Sequence, residues 1–179
     1  ESTFTKVTEA RTKAINAGKF LVKSSSIDAS PATGEKILVD ENGLIVKAIG
    51  VVHGPVPTLA YRIEYKGKSI VYSGDTNSST DNMIQISHHT DLLIYDTAIT
   101  DTLPNLYPSD KVFKALHTTP ARMGEVAATA KVKTLVLSHI TPTTDTRIKE
   151  IRKVIRANGY RGKIKTASDL NDKAFRTIY

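Results

Sequence analysis

Three side chains able to bind a metal each close an apolar, strand-like run at the point where the chain turns. His53 ends Ile49-Gly50-Val51-Val52 and is followed by Gly54-Pro55-Val56-Pro57, a stiff turn that exposes the imidazole at a sheet edge. Asp75 closes Ile70-Val71-Tyr72-Ser73-Gly74, and His139 closes Leu135-Val136-Leu137-Ser138 ahead of Ile140-Thr141-Pro142. Strand ends along one sheet edge are where layered α/β domains place their sites. Imidazole with carboxylate is a donor set for zinc, manganese or iron. Taken alone, a His at a strand end is more often a hydrogen-bonded structural residue, and Gly-Asp after a strand is usually a turn. The recurrence on three strands points to a metal site instead. The chain has 179 residues and no Cys, which excludes a disulfide framework, Cys-ligated zinc or iron–sulfur centres and a thiol nucleophile. Any metal must therefore sit on His and carboxylates.

The elements that position these residues follow from periodicity. Val7, Ala10, Ala14 and Ile15 have helical spacing within residues 3–17, with Gly18 as a stop, and residues 24–34 have loop composition. Residues 37–39, 44–52, 58–65 and 69–72 are extended runs joined by short turns, Asn42-Gly43 being the strongest hairpin signal. From Asp75 onward strands alternate with helices: a helix at 80–89, a buried strand at 91–95, a helix at 121–130 and a buried strand at 134–138. A helix at 145–158 follows, capped by Asp145 and stopped by Gly159, and then a short strand near 164–166. A meander feeding a β-α-β-α-β series predicts one mixed α/β layered domain. No apolar run approaches the roughly 20 residues of a membrane span, so a soluble chain is expected, its compartment (cytoplasm or periplasm) left open.

The ordered motifs resemble the metallo-β-lactamase superfamily. They are His53-Gly54, Ser73-Gly74-Asp75-Thr76, and the stretch from His117-Thr118-Thr119 through the Ala-rich helix to Leu135-Val136-Leu137-Ser138-His139-Ile140-Thr141-Pro142. The most similar subgroup is ribonuclease Z with its small-ester and phosphodiester hydrolase relatives, and the likeness covers roughly residues 44–170. It implies an αββα sandwich and a metal-dependent hydrolase that cleaves an ester or phosphodiester with a metal-bound hydroxide. It also implies two divalent ions, zinc first, with manganese or iron as the other candidates. His53 would be a ligand of the first metal, Asp75 the bridging carboxylate and His139 a ligand of the second. His117 resembles the His of the His-Ser-Thr loop, where it protonates or stabilises the leaving oxygen. Capping the helix that starts near Pro120 is the alternative role for His117.

Two departures qualify the resemblance. Where ribonuclease Z relatives carry His-Glu-Ala-Thr, this chain has Tyr95-Asp96-Thr97-Ala98, in which Asp96 keeps a carboxylate. Asp75 also follows His53 too closely for the long tRNA-gripping arm that some of these nucleases insert there. The signature His-x-His-x-Asp-His occurs nowhere, and residues 1–52 contain no His. His88-His89 is not a substitute, because it lies after Asp75 at a helix end. The chain opens on Glu1 rather than Met. The expected fold is therefore an incomplete sandwich, residues 1–179 forming the C-terminal part of a single domain, with metals and activity reduced or lost in the chain alone. Its sheet should then leave an apolar face or edge open, to be covered in a homodimer or lost to disorder.

Net charge is +7. Arg147, Lys149, Arg152, Lys153, Arg156, Arg161, Lys163 and Lys165 crowd the C-terminal quarter. A solvated helix face accounts for them more readily than an RNA or DNA surface, and no aromatics alternate with them as a base-stacking platform requires. A small ester or phosphodiester is thus favoured as substrate over RNA. A non-catalytic protein- or nucleic-acid-binding module that keeps the fold is the alternative function.

Overall fold

The computed structural model describes residues 26–101 and 108–168. Its strands form one seven-stranded sheet ordered β1 to β7. The first four make the expected antiparallel meander: β1 Lys36–Glu41, β2 Leu44–His53, β3 Val56–Tyr65 and β4 Lys68–Tyr72. In the two-residue turns Asn42-Gly43 and Lys66-Gly67 all four residues have positive φ, the type I′ geometry whose twist matches the flanking strands. β5 Leu92–Asp96, β6 Thr134–Ser138 and β7 Lys163–Thr166 then add in parallel to β4. Two antiparallel steps restore direction, so β2 runs the same way as β4, β5 and β6. The C-terminal ends of those four strands therefore share one edge.

Five α-helices lie among the described residues: α1 Asn82–Ser87, α2 Pro108–Leu116, α3 Pro120–Thr129, α4 Pro142–Asp145 and α5 Ile148–Ala157. Strand alternation sends Ile49, Val51, Val71, Leu93, Tyr95, Leu135 and Leu137 to one face of the sheet. There they pack with Met83 and Ile86 of α1, Met123, Val126 and Ala127 of α3, and Ile151 and Ile155 of α5. At about 1.5–3 kcal/mol for each large apolar side chain fully buried, this layer dominates the stability of the fold. On the opposite face Leu92 and Val136 are buried with Ile70 and Ile94 against them, but Ile63, Tyr65 and Tyr72 are exposed.

Several boundaries differ from expectation. The single helix at 145–158 is two helices, and Asp145 ends the first instead of capping the second. Thr141 and Thr144 form a reciprocal capping box, with Pro142 at the first helical position, so a helix starts there. Arg147 (φ −116°, ψ 13°) breaks the helical path before α5. Gly159 ends α5 at φ 94°, as expected. α1 is shorter than residues 80–89, and α2 falls in a stretch with no helix assigned from sequence. The helix expected at 3–17 lies outside the described residues.

Candidate functional site

The shared edge gathers the predicted residues. His53 is the last residue of β2, Asp75 lies just past β4, and His139 directly follows β6. Asp75 sits between the two imidazoles, its Oδ2 4.0 Å from His53 Nε2 and its Oδ1 3.6 Å from His139 Nδ1. His117, just past α2, joins them: its ring centroid is 5.1 Å from that of His53 and 5.2 Å from that of His139. The role of capping the helix at Pro120 falls instead to Thr119, whose hydroxyl accepts from Arg122 N–H.

Asp96, noticed in the sequence only as a departure from a motif, is the hub of the cluster. It is the last residue of β5, and its side chain is 1% exposed. One carboxylate oxygen, Oδ2, accepts from His117 Nδ1 at 2.7 Å and from Thr76 N–H at 3.2 Å. The other, Oδ1, is 3.1 Å from His139 Nδ1 and accepts from Ala98 N–H at 3.1 Å. A carboxylate can only accept, so His117 carries its proton on Nδ1 and leaves Nε2 free. The backbone carbonyl of Leu116 fixes His53 in the same way, at 2.9 Å from Nδ1, and turns its Nε2 lone pair toward Asp75. The rule that flagged His53, Asp75 and His139, a metal-competent side chain closing a buried strand, also applies to Asp96.

The loop that carries Asp75 is clamped from below. Ser73 Oγ accepts from Asp96 N–H and donates to the Gly74 carbonyl. Gly74 has φ 61°, and a Cβ there would come within 2.8 Å of the Leu59 carbonyl oxygen, so only glycine fits. Beneath the loop a buried chain links Tyr95 Oη to Ser78 Oγ (2.6 Å), Ser78 Oγ to Thr118 Oγ1 (2.8 Å) and Thr118 Oγ1 to the Thr76 carbonyl (2.6 Å). Burial pushes the Tyr95 phenol up to about 12, which keeps it a neutral partner in that chain. The Arg122 side chain reaches over from α3 to the carbonyls of Ser78 and Thr80.

Two overlapping donor sets result, His53/Asp75/His117 and Asp96/His117/His139, each with donor atoms within 4.8 Å of one another. Imidazole nitrogens already oriented by second partners, beside carboxylate oxygens, suit a divalent ion of the zinc, manganese or iron type. His88 and His89 stay apart from this cluster, exposed at the end of α1.

Residues 7–140 match the beta-lactamase superfamily domain. The match begins well before residue 44 and ends well before residue 170, the limits expected from the motifs. Ribonuclease Z of Mycobacterium tuberculosis (strain ATCC 25177 / H37Ra) is 31% identical over 136 residues, which make up 74% of this chain and 49% of that protein. Ribonuclease Z of Natronomonas pharaonis is 33% identical over 101 residues, 56% of this chain and 28% of that protein. The chain thus spans about half the length, or less, of these relatives. Among solved structures, the metallo-beta-lactamase fold protein YhfI from Bacillus subtilis superposes with a TM-score of 0.60 at 22% identity, over 87% of this chain and 59% of that one. Human tRNase Z, short form, gives a TM-score of 0.58 at 22% identity, over 81% and 46%. The seven-stranded sheet, the layer of helices on one of its faces and these matches agree: the chain belongs to the metallo-β-lactamase superfamily, its sequence likeness lying on the ribonuclease Z side.

Proposed function

We propose that this chain carries metal ligands and the proton-handling His of a metal-dependent hydrolase that cleaves phosphodiesters, with RNA as the substrate class. In this reading His53, Asp75 and His139 would hold two divalent ions, zinc foremost. His117 serves as proton donor or electrophile toward the leaving oxygen. The observation that carries the reading is the buried Asp96 carboxylate gripping His117 Nδ1 inside the same cluster that sets Asp75 between His53 and His139. A divalent ion supplies Lewis acidity and lowers the pKa of coordinated water, so that a nucleophile exists at neutral pH.

The chain's own residues do the remaining work. Asp96 holds the His117 proton on Nδ1, so Nε2 is the atom at which a proton is taken up and released. The imidazole is only 6% exposed, which shields that exchange from bulk water. The carbonyl of Leu116 keeps His53 Nε2 facing Asp75. Relatives named ribonuclease Z support RNA over a small ester, contrary to the preference drawn from sequence. The replacement of Glu by Asp96 counts less against that branch, because Asp96 still reaches His117.

The full chain and its Asp75→Ala variant, supplied with zinc or manganese, should be compared on bis(p-nitrophenyl) phosphate and on a short single-stranded RNA. Loss of about 100-fold or more in hydrolysis is expected, since outer-shell changes alone cost 10–100-fold at metal sites. Hydrolysis unaffected by Asp75→Ala would overturn the reading. The absence of His-x-His-x-Asp-His from the sequence favours a second reading, a module that binds RNA or protein without catalysis. That module would bind RNA or protein and show no Asp75-dependent turnover.

A further inference from the structure

Helix α2 ends against the site. Asn77 Nδ2 donates to the Ala115 carbonyl at 2.7 Å, and the Leu116 carbonyl holds His53 Nδ1 at 2.9 Å. The Leu116 side chain lies over Gly54, where a Cβ would come within 2.6 Å of its Cδ2. A helix leaves its last four carbonyls without intrahelical partners, and here residues of the catalytic edge satisfy two of them. The last turn of α2 is therefore moored to the site, and with it Phe113. The Phe113 ring stacks on the His117 imidazole, with centroids 5.7 Å apart and planes 28° from parallel. The residue is nevertheless 44% exposed. A single exposed aromatic on a surface needs no explanation. An aromatic moored in this way, tilted 28° on a buried imidazole and still 44% exposed, can serve as a platform.

We propose that Phe113 is a nucleobase subsite, its open face stacking the base of a nucleotide next to the phosphodiester that is cut. The inference rests on the hydrolase reading for its placement, but it concerns binding, which is measured separately. Every nucleobase has a π-face, so the subsite would take any base, and its loss would weaken binding without changing sequence preference. The stacking would continue the order His117, Phe113, base, and would hold the nucleotide against the edge that carries Asp75 and His139. Phe113 lies between Lys111 and Lys114, far along the chain from the basic cluster at the C-terminal end.

The probe is a single-stranded RNA octamer carrying one 2-aminopurine, whose fluorescence falls when it stacks, titrated into the full chain and into Phe113→Ala, Phe113→Tyr and Phe113→Leu. Saturable quenching is expected with the wild type and Phe113→Tyr. Phe113→Ala should lose the quenching and bind about 5- to 100-fold more weakly, the range for loss of one base–aromatic stack. Phe113→Leu should resemble Phe113→Ala. A fully abasic octamer, which offers the phosphates without any base, should bind wild type and Phe113→Ala within twofold of each other. Three results would overturn the proposal: no quenching by wild type, an affinity for the 2-aminopurine octamer that is unchanged in Phe113→Ala, or full rescue by Leu, which would mark an acyl or other apolar group as the occupant. Phe113-dependent quenching without Asp75-dependent turnover would sink the hydrolase reading alone. Asp75-dependent RNA cleavage with binding indifferent to Phe113 would sink the subsite alone.

Discussion

Asp96→Asn tests whether a carboxylate organises the site. The substitution keeps shape and removes only charge and one acceptor. Because Oδ1 faces His139 Nδ1 and Ala98 N–H while Oδ2 faces His117 Nδ1 and Thr76 N–H, the amide cannot be turned to satisfy both sides. Whichever oxygen becomes –NH2 then points a donor at a backbone N–H and at an imidazole. An orphaned buried N–H costs about 1–3 kcal/mol, and a hydrogen bond to a charged group is worth about 1.5–3 kcal/mol. Together these give a loss of about 3–5 kcal/mol, comparable to breaking a buried ion pair. At roughly 2–4 °C per kcal/mol for a chain of this size, Tm should fall by about 6–20 °C. If the amide –NH2 faces His117, the imidazole must move its proton to Nε2 to accept from it, the reverse of the state that Asp96 holds. Hydrolysis should then fall by about 10²–10⁴-fold, the span of general acid–base contributions. Thermal unfolding by circular dichroism and turnover of bis(p-nitrophenyl) phosphate with added zinc read the two effects separately. In a His117→Gln background, Asp96→Asn should cost little further activity, because the pair acts as one unit. A Tm within about 2 °C of wild type with undiminished turnover, or fully additive losses in the double variant, would refute the argument.

Asp91 offers a test by pH. Burial pulls its carboxyl up, but Lys133 Nζ at 2.7 Å and the Ser69 N–H and hydroxyl outweigh that and hold it below the ordinary value. Its contribution should be fully present above the unfolded carboxylate range and vanish as pH falls through the lowered folded value. Asp91→Asn should therefore destabilise by about 1–3 kcal/mol at pH 7, with the gap to wild type closing in urea titrations as pH falls below the ordinary carboxylate range; a gap independent of pH contradicts this. Gly74→Ala forces a side chain into φ 61° and toward the Leu59 carbonyl, so a loss of about 1–3 kcal/mol in denaturant melts is expected, together with weaker metal binding through displaced Asp75; wild-type stability would show that the turn has other room. His88→Ala with His89→Ala should leave zinc stoichiometry by equilibrium dialysis unchanged, whereas His53→Ala should lower it, and the opposite pattern would move the metal centre to the end of α1.

What was legible in the sequence follows from which forces act locally. The strands β2 to β6 could be placed because alternation and β-branched runs carry their own burial, and Asn42-Gly43 names its turn through a backbone geometry that few other pairs accept. His53, Asp75 and His139 could be grouped because each ends such a run, and a sheet with parallel strands must bring those ends together. The same reasoning extends to Asp96, at the end of Leu92-Leu93-Ile94-Tyr95, but comparison with a motif counted it as a loss and hid what its position implied. Its partner His117 lies 21 positions along the chain, and no local pattern records that the two meet. α2 was missed for a related reason. Its carbonyls are satisfied by Asn77 and His53, so the stop signal lies not in its own sequence but across the sheet edge. The split of the helix at 145–158 is the opposite case: Thr141-Pro142 and Thr144 are a local start signal that outcompetes Asp145. The apolar stripe Ile148, Ile151 and Ile155 fits a helix starting at Asp145 equally well, because stripes say which face is buried without saying where the backbone first turns.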